Sequence, residues 1–179
     1  MANEIKYNSS GTILKNTSNQ LLLNLSIGSF YQGGRVFNIS GETIWIISTD
    51  DVGYKWGCTG STAAYSAAFP DDNNRAVGDG LNNTNLITGI TCIDYEYAAK
   101  WCKEYTGGGY NDWWLPSYDE LHLAWDVRTD IGWVGGNHWT SSFGNGTTRS
   151  PVLLLYSTSN PITVGVQFSN KVRAVRIGT

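Results

Sequence analysis

The fold of this chain is decided by one stretch of its sequence, Gly107-Gly108-Gly109-Tyr110-Asn111-Asp112-Trp113-Trp114-Leu115-Pro116-Ser117-Tyr118-Asp119-Glu120-Leu121. The glycines indicate the end of a helix, because glycine accepts the left-handed conformation common at a helix C-terminus. Pro116 keeps Leu115 extended. Ser117 and Glu120 have the spacing of a capping box, in which each side chain accepts a hydrogen bond from the other residue's backbone N–H. The stretch therefore predicts a helix end, an aromatic turn and a new helix start.

Two helices are predicted around this turn. The first spans about 94–106, with Asp94 as its N-cap and apolar residues at intervals of three and four. The second spans about 118–128 and repeats that spacing. Each helix is expected to bury one face in a core.

Strands are predicted before and after the helices. The β-branched and aromatic runs at 35–39 and 43–49 flank a short turn and predict a hairpin. Four more strands are predicted at 138–142, 152–156, 162–168 and 172–177, the last two as a second hairpin. The region from 50 to 89 lacks clear periodicity and is expected to be irregular. Strands, two central helices and further strands together indicate an α+β fold.

Composition narrows the classes of function. The 179 residues fit one domain, and 15% of them are charged, against roughly 25% in an average domain. A net charge of −3 argues against a nucleic-acid partner, because such proteins concentrate Lys and Arg on one face. No run of about 18 apolar residues is present, so membrane insertion is not expected.

The N-terminal segment differs from the rest of the chain. Residues 1–27 are rich in Asn, Ser and Thr and end in an apolar run at 20–27. Two interpretations remain open, a first strand of the main sheet and an arm for attachment or oligomerisation. We therefore divide the chain into an N-terminal arm, 1–27, and a domain, 28–179. The first residues lack a basic segment followed by an apolar one, so no secretory signal peptide is expected in the chain as given.

Three cysteines allow one disulfide at most. Cys58 and Cys92 are the candidate pair, because Cys102 lies inside a predicted helix, where a cysteine usually acts as a small buried apolar group. Whether the bridge forms is left open by the sequence.

Several motifs occur in an order that resembles the Lcl C-terminal domain family, a group in the C-type-lectin-like superfamily. The resemblance covers about 28–178. The motifs that carry it are Gln32-Gly33-Gly34-Arg35-Val36-Phe37, Trp56-Gly57-Cys58, Asn82-Asn83-Thr84, the stretch 109–117 with Asp119-Glu120-Leu121, His138-Trp139-Thr140-Ser141-Ser142, and Val172-Arg173-Ala174-Val175-Arg176.

The resemblance implies a C-type-lectin-like fold, with two helices beside a twisted antiparallel core and long loops at one end. Members of the family occur in bacteriophage tail or receptor-binding proteins and in bacterial adhesins, usually as binding modules. We therefore expect a bacteriophage virion protein that binds a host-surface glycan or protein, forms homo-oligomers and contacts other virion proteins through 1–27. A bacterial cell-surface adhesin and a structural decoration protein without a receptor are the alternatives.

Metal, cofactor and catalytic chemistry are not expected. The Glu-Pro-Asn or Gln-Pro-Asp triplet of sugar-binding calcium sites is missing, and the Asn160-Pro161 pair lacks acidic neighbours. The polar loop with Asp71, Asp72, Asn73 and Asp79 is interpreted as solvated. Formylglycine-generating enzymes of the superfamily depend on cysteines near the C-terminal half, whereas the last cysteine here is Cys102. No Gly-x-Ser-x-Gly nucleophile motif occurs either, so the protein is predicted not to be an enzyme.

Two loops are candidates for recognition. Trp133 and Asn137 lie in a Gly-rich loop, and a second loop contains Phe143, Asn145 and Arg149. Aromatic, amide and guanidinium groups make good contacts with glycans and proteins. We predict that these residues, with Tyr65 and Phe69, form the ligand-binding surface, while ordinary loop packing is the alternative for each of them. The remaining tryptophans considered are assigned to the core: Trp45, Trp101, Trp113, Trp114, Trp125 and Trp139.

Overall fold

The computed structural model describes residues 25–70, 74–92, 96–144 and 150–178. Within these ranges the chain is an α+β protein with two sheets and four α-helices. The predicted fold class is confirmed at this level. None of the described helices has the length and apolar character needed to cross a membrane.

The first sheet joins the two ends of the described chain. Its strands, in spatial order, are β1 (Phe30–Tyr31), β2 (Gly34–Ser40), β3 (Thr43–Ser48) and β9 (Val175–Gly178), all antiparallel to their neighbours. The β2–β3 pair confirms the first predicted hairpin.

The second sheet contains the remaining strands and includes one parallel pair. Its spatial order is β4 (Val52–Lys55), β8 (Ser169–Val172), β5 (His138–Gly144), β6 (Ser150–Leu154) and β7 (Pro161–Thr163). β5 and β8 run parallel, whereas the other neighbours are antiparallel.

The hairpin predicted from 162–168 and 172–177 is wrong. The chain changes sheets at Arg173 and Ala174, so β8 pairs with β4 and β9 pairs with β3. A period-two pattern shows which residues share a face of a strand, but it carries no information about the partner strand.

Two helices lie in the region predicted to be irregular. They are α1 (Thr62–Ala68) and α2 (Gly80–Gly89). The buried positions of α2 are Gly80, Asn83, Thr84 and Ile87, so its inner face is mostly polar and the apolar helix pattern is absent. Thr84 is accommodated there because its hydroxyl donates to the Gly80 carbonyl at 2.8 Å and accepts from the Leu115 N–H at 3.0 Å.

The two predicted helices are present but shorter. α3 (Ala98–Glu104) begins after Tyr97, four residues later than expected, and Asp94 lies outside the described residues. α4 (Tyr118–Asp126) carries the predicted capping box: the Ser117 Oγ accepts from the Glu120 N–H, and the Glu120 carboxylate accepts from the Ser117 N–H at 2.9 Å.

The first sheet lies between two apolar clusters. Alternate residues of β3 contribute to opposite clusters, Ile44 and Ile46 to one and Trp45 and Ile47 to the other. The aromatic turn has the same division. Trp113 and Trp114 belong to different clusters, and the Trp114 backbone pairs with β9. The six tryptophans assigned to the core are all buried or partly buried in these clusters.

The candidate disulfide is present. Cys58 and Cys92 are bonded, with their Cα atoms 5.5 Å apart, and Cys102 is a buried free thiol. The bridge ties the segment after β4 to the segment after α2. Leu25 and Ile27, assigned to the arm from the sequence, pack against the same apolar cluster as Cys58.

Candidate functional site

The parallel pairing of β5 and β8 defines the candidate site. Because His138 is opposite Lys171 in parallel strands, the segments that precede both strands lie at the same end of the sheet. One segment is 132–137, here called the 132–137 loop. The other ends at Phe168, directly before β8.

Three glycines shape the 132–137 loop. Gly132, Gly135 and Gly136 have φ angles of 65°, 63° and 88°, a region that residues with a Cβ adopt only with strain. A Cβ on Gly136 would also lie 2.4 Å from the Lys171 side chain. The Gly-rich sequence therefore encodes a defined backbone path.

Hydrogen bonds fix the loop along its length. The Trp133 N–H donates to the Arg128 carbonyl at 2.8 Å, and the Trp133 carbonyl accepts from the Tyr156 hydroxyl at 3.1 Å. The Gly135 carbonyl accepts from the Lys171 ammonium at 3.2 Å. Farther along, the Asn137 carbonyl accepts from the Lys171 N–H at 3.1 Å. These four hydrogen bonds tie the loop backbone to the rest of the domain.

Adjacent residues of this loop face opposite environments. Trp133 is 3% exposed and packs edge-on against His138, with ring centres 4.6 Å apart. Val134 is 79% exposed, the highest value among the exposed large hydrophobic residues of the described chain. At the same end of the sheet, Phe168 is 55% exposed. The loop thus presents an apolar tip on a buried aromatic base.

An ionic cluster lies under the loop. The Asp51 carboxylate contacts the His138 Nε2 at 3.0 Å through one oxygen and accepts from the Lys171 ammonium at 2.9 Å through the other. The His138 Nδ1 contacts the Gly136 carbonyl at 2.8 Å. Through these bonds the cluster connects β4, β5 and β8 to the loop backbone.

The pKa values of both Asp51 and His138 are lowered in this cluster. Burial alone would raise the pKa of Asp51, but hydrogen bonds from His138 and Lys171 outweigh it and hold this pKa below 3.8. Burial lowers the pKa of His138 below 6.5, and the bond to Asp51 offsets this only in part. A neutral imidazole has one N–H and donates to one of its two neighbouring acceptors, whereas the imidazolium donates to both.

Four of the predicted ligand-binding residues are core residues. Tyr65, Phe69, Phe143 and Trp133 are each less than 5% exposed, so the prediction that their rings form a surface is corrected. The Tyr65 ring lies 4.9 Å from Trp56, and the Phe69 ring stacks on Phe143 at 5.6 Å. Tyr65, Phe69 and Phe143 belong to the larger apolar cluster, and Trp133 belongs to the smaller one.

Of the three other predicted ligand-binding residues, the structure describes only Asn137. Asn137 is exposed, and its side-chain oxygen accepts from the Tyr156 N–H at 3.2 Å. Asn145 and Arg149 lie outside the described residues. Val134 and Phe168 were missed. An apolar residue between glycines is the signal that could have identified Val134.

A shallow depression lies between α2 and α3. It has a volume of about 260 Å³ and is lined by Thr88, Tyr97, Lys100, Lys103 and Glu104. Its lysines are engaged within the protein, since Lys100 pairs with Glu104 at 2.7 Å and Lys103 donates to Thr88 at 3.1 Å. We regard it as a weaker candidate than the 132–137 loop.

The described residues contain no cluster of side chains suited to bind a metal ion. No group of three or more His, Cys, Asp or Glu residues there is placed to hold an ion. Asp79 accepts from the Ala76 N–H at 2.9 Å and closes a local turn. The other acidic residues of that loop, Asp71 and Asp72, lie outside the described residues.

The arrangement provides non-covalent recognition chemistry, with an apolar tip held on a hydrogen-bonded loop. The chain matches no family model and no curated protein sequence. Its function must therefore be argued from the site itself, because a fold alone does not define one.

Proposed function

We propose that this chain is a bacteriophage virion protein whose C-type-lectin-like domain binds a host-surface glycan or protein through the 132–137 loop. The resemblance of its motif order to the Lcl C-terminal domain family supports this assignment. The proposal describes a binding module without catalytic activity.

One observation carries the proposal: the 132–137 loop is ordered by the protein and still exposes an apolar side chain. An ordered loop loses little conformational entropy on binding, so more of the contact energy appears as affinity. Val134 and Phe168, exposed at 79% and 55%, provide apolar contact area. Asn137 and the nearby Lys171 side chain, 41% exposed, provide polar groups at the margin. Apolar centres with polar rims are typical of protein interfaces.

The N-terminal residues are proposed to attach the domain to the virion or to other copies of the chain. β1 is an edge strand of the first sheet. Phe30 on β1 is 61% exposed. We assign attachment to 1–27, with Leu25 and Ile27 also packing on the domain core.

Two alternatives to the virion receptor-binding protein remain, and they differ in whether the loop binds a receptor. A bacterial adhesin would use the loop in the same way but would be displayed on the cell. A structural decoration protein would have no receptor. Antibodies against the domain that label virus particles in electron micrographs would support the virion location, and labelling of the producing cell surface would support the adhesin.

The binding proposal is tested with fluorescently labelled protein and a panel of intact bacteria, measured by flow cytometry. On a strain that binds the wild type, Val134→Asp is expected to weaken binding at least tenfold, which corresponds to about 1.4 kcal/mol. A carboxylate at the loop tip must lose its hydration against an apolar partner surface.

The matched control is Leu81→Asp, which places the same charge on an exposed apolar position of α2, 48% exposed. Wild-type binding by this variant, together with the loss in Val134→Asp, would support the loop. Equal binding by all three proteins would remove the loop from the proposal. Binding to no strain in the panel would favour the decoration protein.

A further inference from the structure

Arg173 is a buried cation whose hydrogen-bonding groups are incompletely used. It lies where the chain crosses from β8 to β9 and is 5% exposed. Its Nε and Nη1 atoms have no hydrogen-bond partner in the described chain. Buried polar groups are nearly always hydrogen-bonded, and a buried charge requires compensation even more strongly.

Trp133 has an unused donor next to this cation. Its Nε1 is buried without a hydrogen-bond partner among the described residues. The Arg173 guanidinium carbon lies 5.7 Å from the centre of the Trp133 ring. With hydrogen bonds of about 3 Å, a single small acceptor near both side chains can serve both of them.

The nearby carboxylates are directed elsewhere. One oxygen of Asp51 contacts His138 and the other accepts from Lys171. Asp50 and Asp51 act on Arg173 through their charge, but neither accepts a hydrogen bond from it among the described residues. The charges of Asp50 and Asp51 thus match those of Arg173 and Lys171, but the Nε and Nη1 donors of Arg173 have no acceptor among the described residues.

We infer that a small monovalent anion, such as chloride, binds between the Arg173 guanidinium and the Trp133 indole N–H. An anion accepts three or more N–H bonds at once, whereas a water molecule accepts at most two, and the Arg173 Nε, the Arg173 Nη1 and the Trp133 Nε1 all lack an acceptor among the described residues. The burial of both side chains restricts the site to a small ion. The bound ion stabilises the 132–137 loop from below, because Trp133 is the buried base of that loop. This inference is independent of the proposed receptor.

Crystals of the full chain grown in sodium bromide provide the direct test, since bromide replaces chloride and is located by its anomalous scattering. The expected result is an anomalous peak within about 3.5 Å of both Trp133 Nε1 and an Arg173 nitrogen, a contact slightly longer than an ordinary hydrogen bond. Density for water alone, without an anomalous peak, would overturn the inference.

A solution test uses thermal unfolding in sodium chloride and in sodium gluconate of equal ionic strength, because gluconate is too large for the site. Wild type is expected to gain roughly 5–11 °C in chloride at a hundredfold excess over the dissociation constant. Trp133→Phe, which keeps a ring and removes the N–H, is expected to lose at least half of this gain. Arg173→Gln is expected to lose it entirely.

The control is Arg128→Gln, which removes an arginine stacked on another tryptophan, Trp125, at 3.8 Å. This variant is expected to keep the chloride-dependent gain. Equal stability of the wild type in chloride and gluconate would contradict the inference, and so would an undiminished gain in Trp133→Phe. If Arg173→Gln fails to fold, the bromide crystals and Trp133→Phe still decide the question.

Discussion

Glu120→Gln is the substitution that most directly tests how the domain is held together. The Glu120 side chain is fully buried. One carboxylate oxygen accepts from the N–H groups of Gly78 at 2.9 Å and Gly80 at 3.2 Å. The other accepts from the Trp114 indole at 3.0 Å and the Ser117 N–H at 2.9 Å. The carboxylate thus joins the turn before α2, the aromatic turn and the start of α4.

The expected loss follows from these four bonds. Glutamine has the same shape, but its NH₂ group must face two N–H donors in either orientation, so two hydrogen bonds are lost. Hydrogen bonds to a charged group contribute about 1.5–3 kcal/mol each. Burial raises the pKa of Glu120 above 4.5 despite these bonds, so removing the charge recovers part of the loss. We expect a net destabilisation of about 3 kcal/mol.

Urea unfolding of the oxidised protein, followed by tryptophan fluorescence, measures this change. A loss of this size lowers the melting temperature by roughly 6–12 °C. The control is Glu96→Gln, which breaks an exposed contact with Lys100 and should cost at most about 0.5 kcal/mol. If the free energies of unfolding of Glu120→Gln and Glu96→Gln agree within error, the Glu120 carboxylate does not stabilise the domain through these four hydrogen bonds.

Two further predictions concern the disulfide and the ionic cluster. Replacing both Cys58 and Cys92 by serine should lower the free energy of unfolding by about 4 kcal/mol, because the bridge closes a loop of 34 residues; reductant should then destabilise the wild type but not the variant. His138 has a lowered pKa in the folded state, so its contribution to stability is complete above about pH 6.5 and is lost as the pH falls. The advantage of wild type over His138→Asn in urea unfolding should therefore shrink between about pH 7.5 and pH 5. An advantage that grows on acidification would show that folded His138 holds the proton more tightly than the unfolded chain.

The helix start at Ser117 could be predicted because its signals are local. A capping box needs a serine and a glutamate three residues apart, and the structure confirms both hydrogen bonds. The wider role of Glu120 was invisible in the sequence. Its bonds to Gly78 and Gly80 join residues about forty positions away, and no local pattern records them.

α2 was missed for a related reason. Its inner face contains Asn83 and Thr84, whose side chains find partners in other parts of the chain. Asn83 donates to the Asn74 carbonyl at 2.7 Å, and Thr84 accepts from the Leu115 N–H at 3.0 Å. A helix packed through such hydrogen bonds has no apolar stripe, so the periodicity that identifies amphipathic helices is absent.

The sequence predicts a recognition loop at 132–137, and the structure changes which of its residues is exposed. The Gly-rich sequence drew attention to the loop at 132–137, but it favoured Trp133 as the exposed residue, whereas Trp133 is 3% exposed. Trp133 is buried because His138 and Tyr156 pack on its ring, and Tyr156 is distant in sequence. Its neighbour Val134 faces solvent as a consequence. Which of two adjacent loop residues points inward is decided by tertiary contacts.

The strand order of the first sheet affects how the domain folds during translation, because the central strand β3 pairs with β9, which is far from it in sequence. β3 is synthesised well before its partner β9, since Ile44 pairs with Gly178. Until β9 emerges, one edge of β3 has no partner, and Trp45 and Ile47 lack Val175 as a neighbour in their cluster. Contacts between such distant segments slow folding, and a half-made sheet exposes an edge that can pair with another chain. Completion of the first sheet must therefore wait until β9 has left the ribosome, and before that moment a chaperone would have most reason to bind the chain.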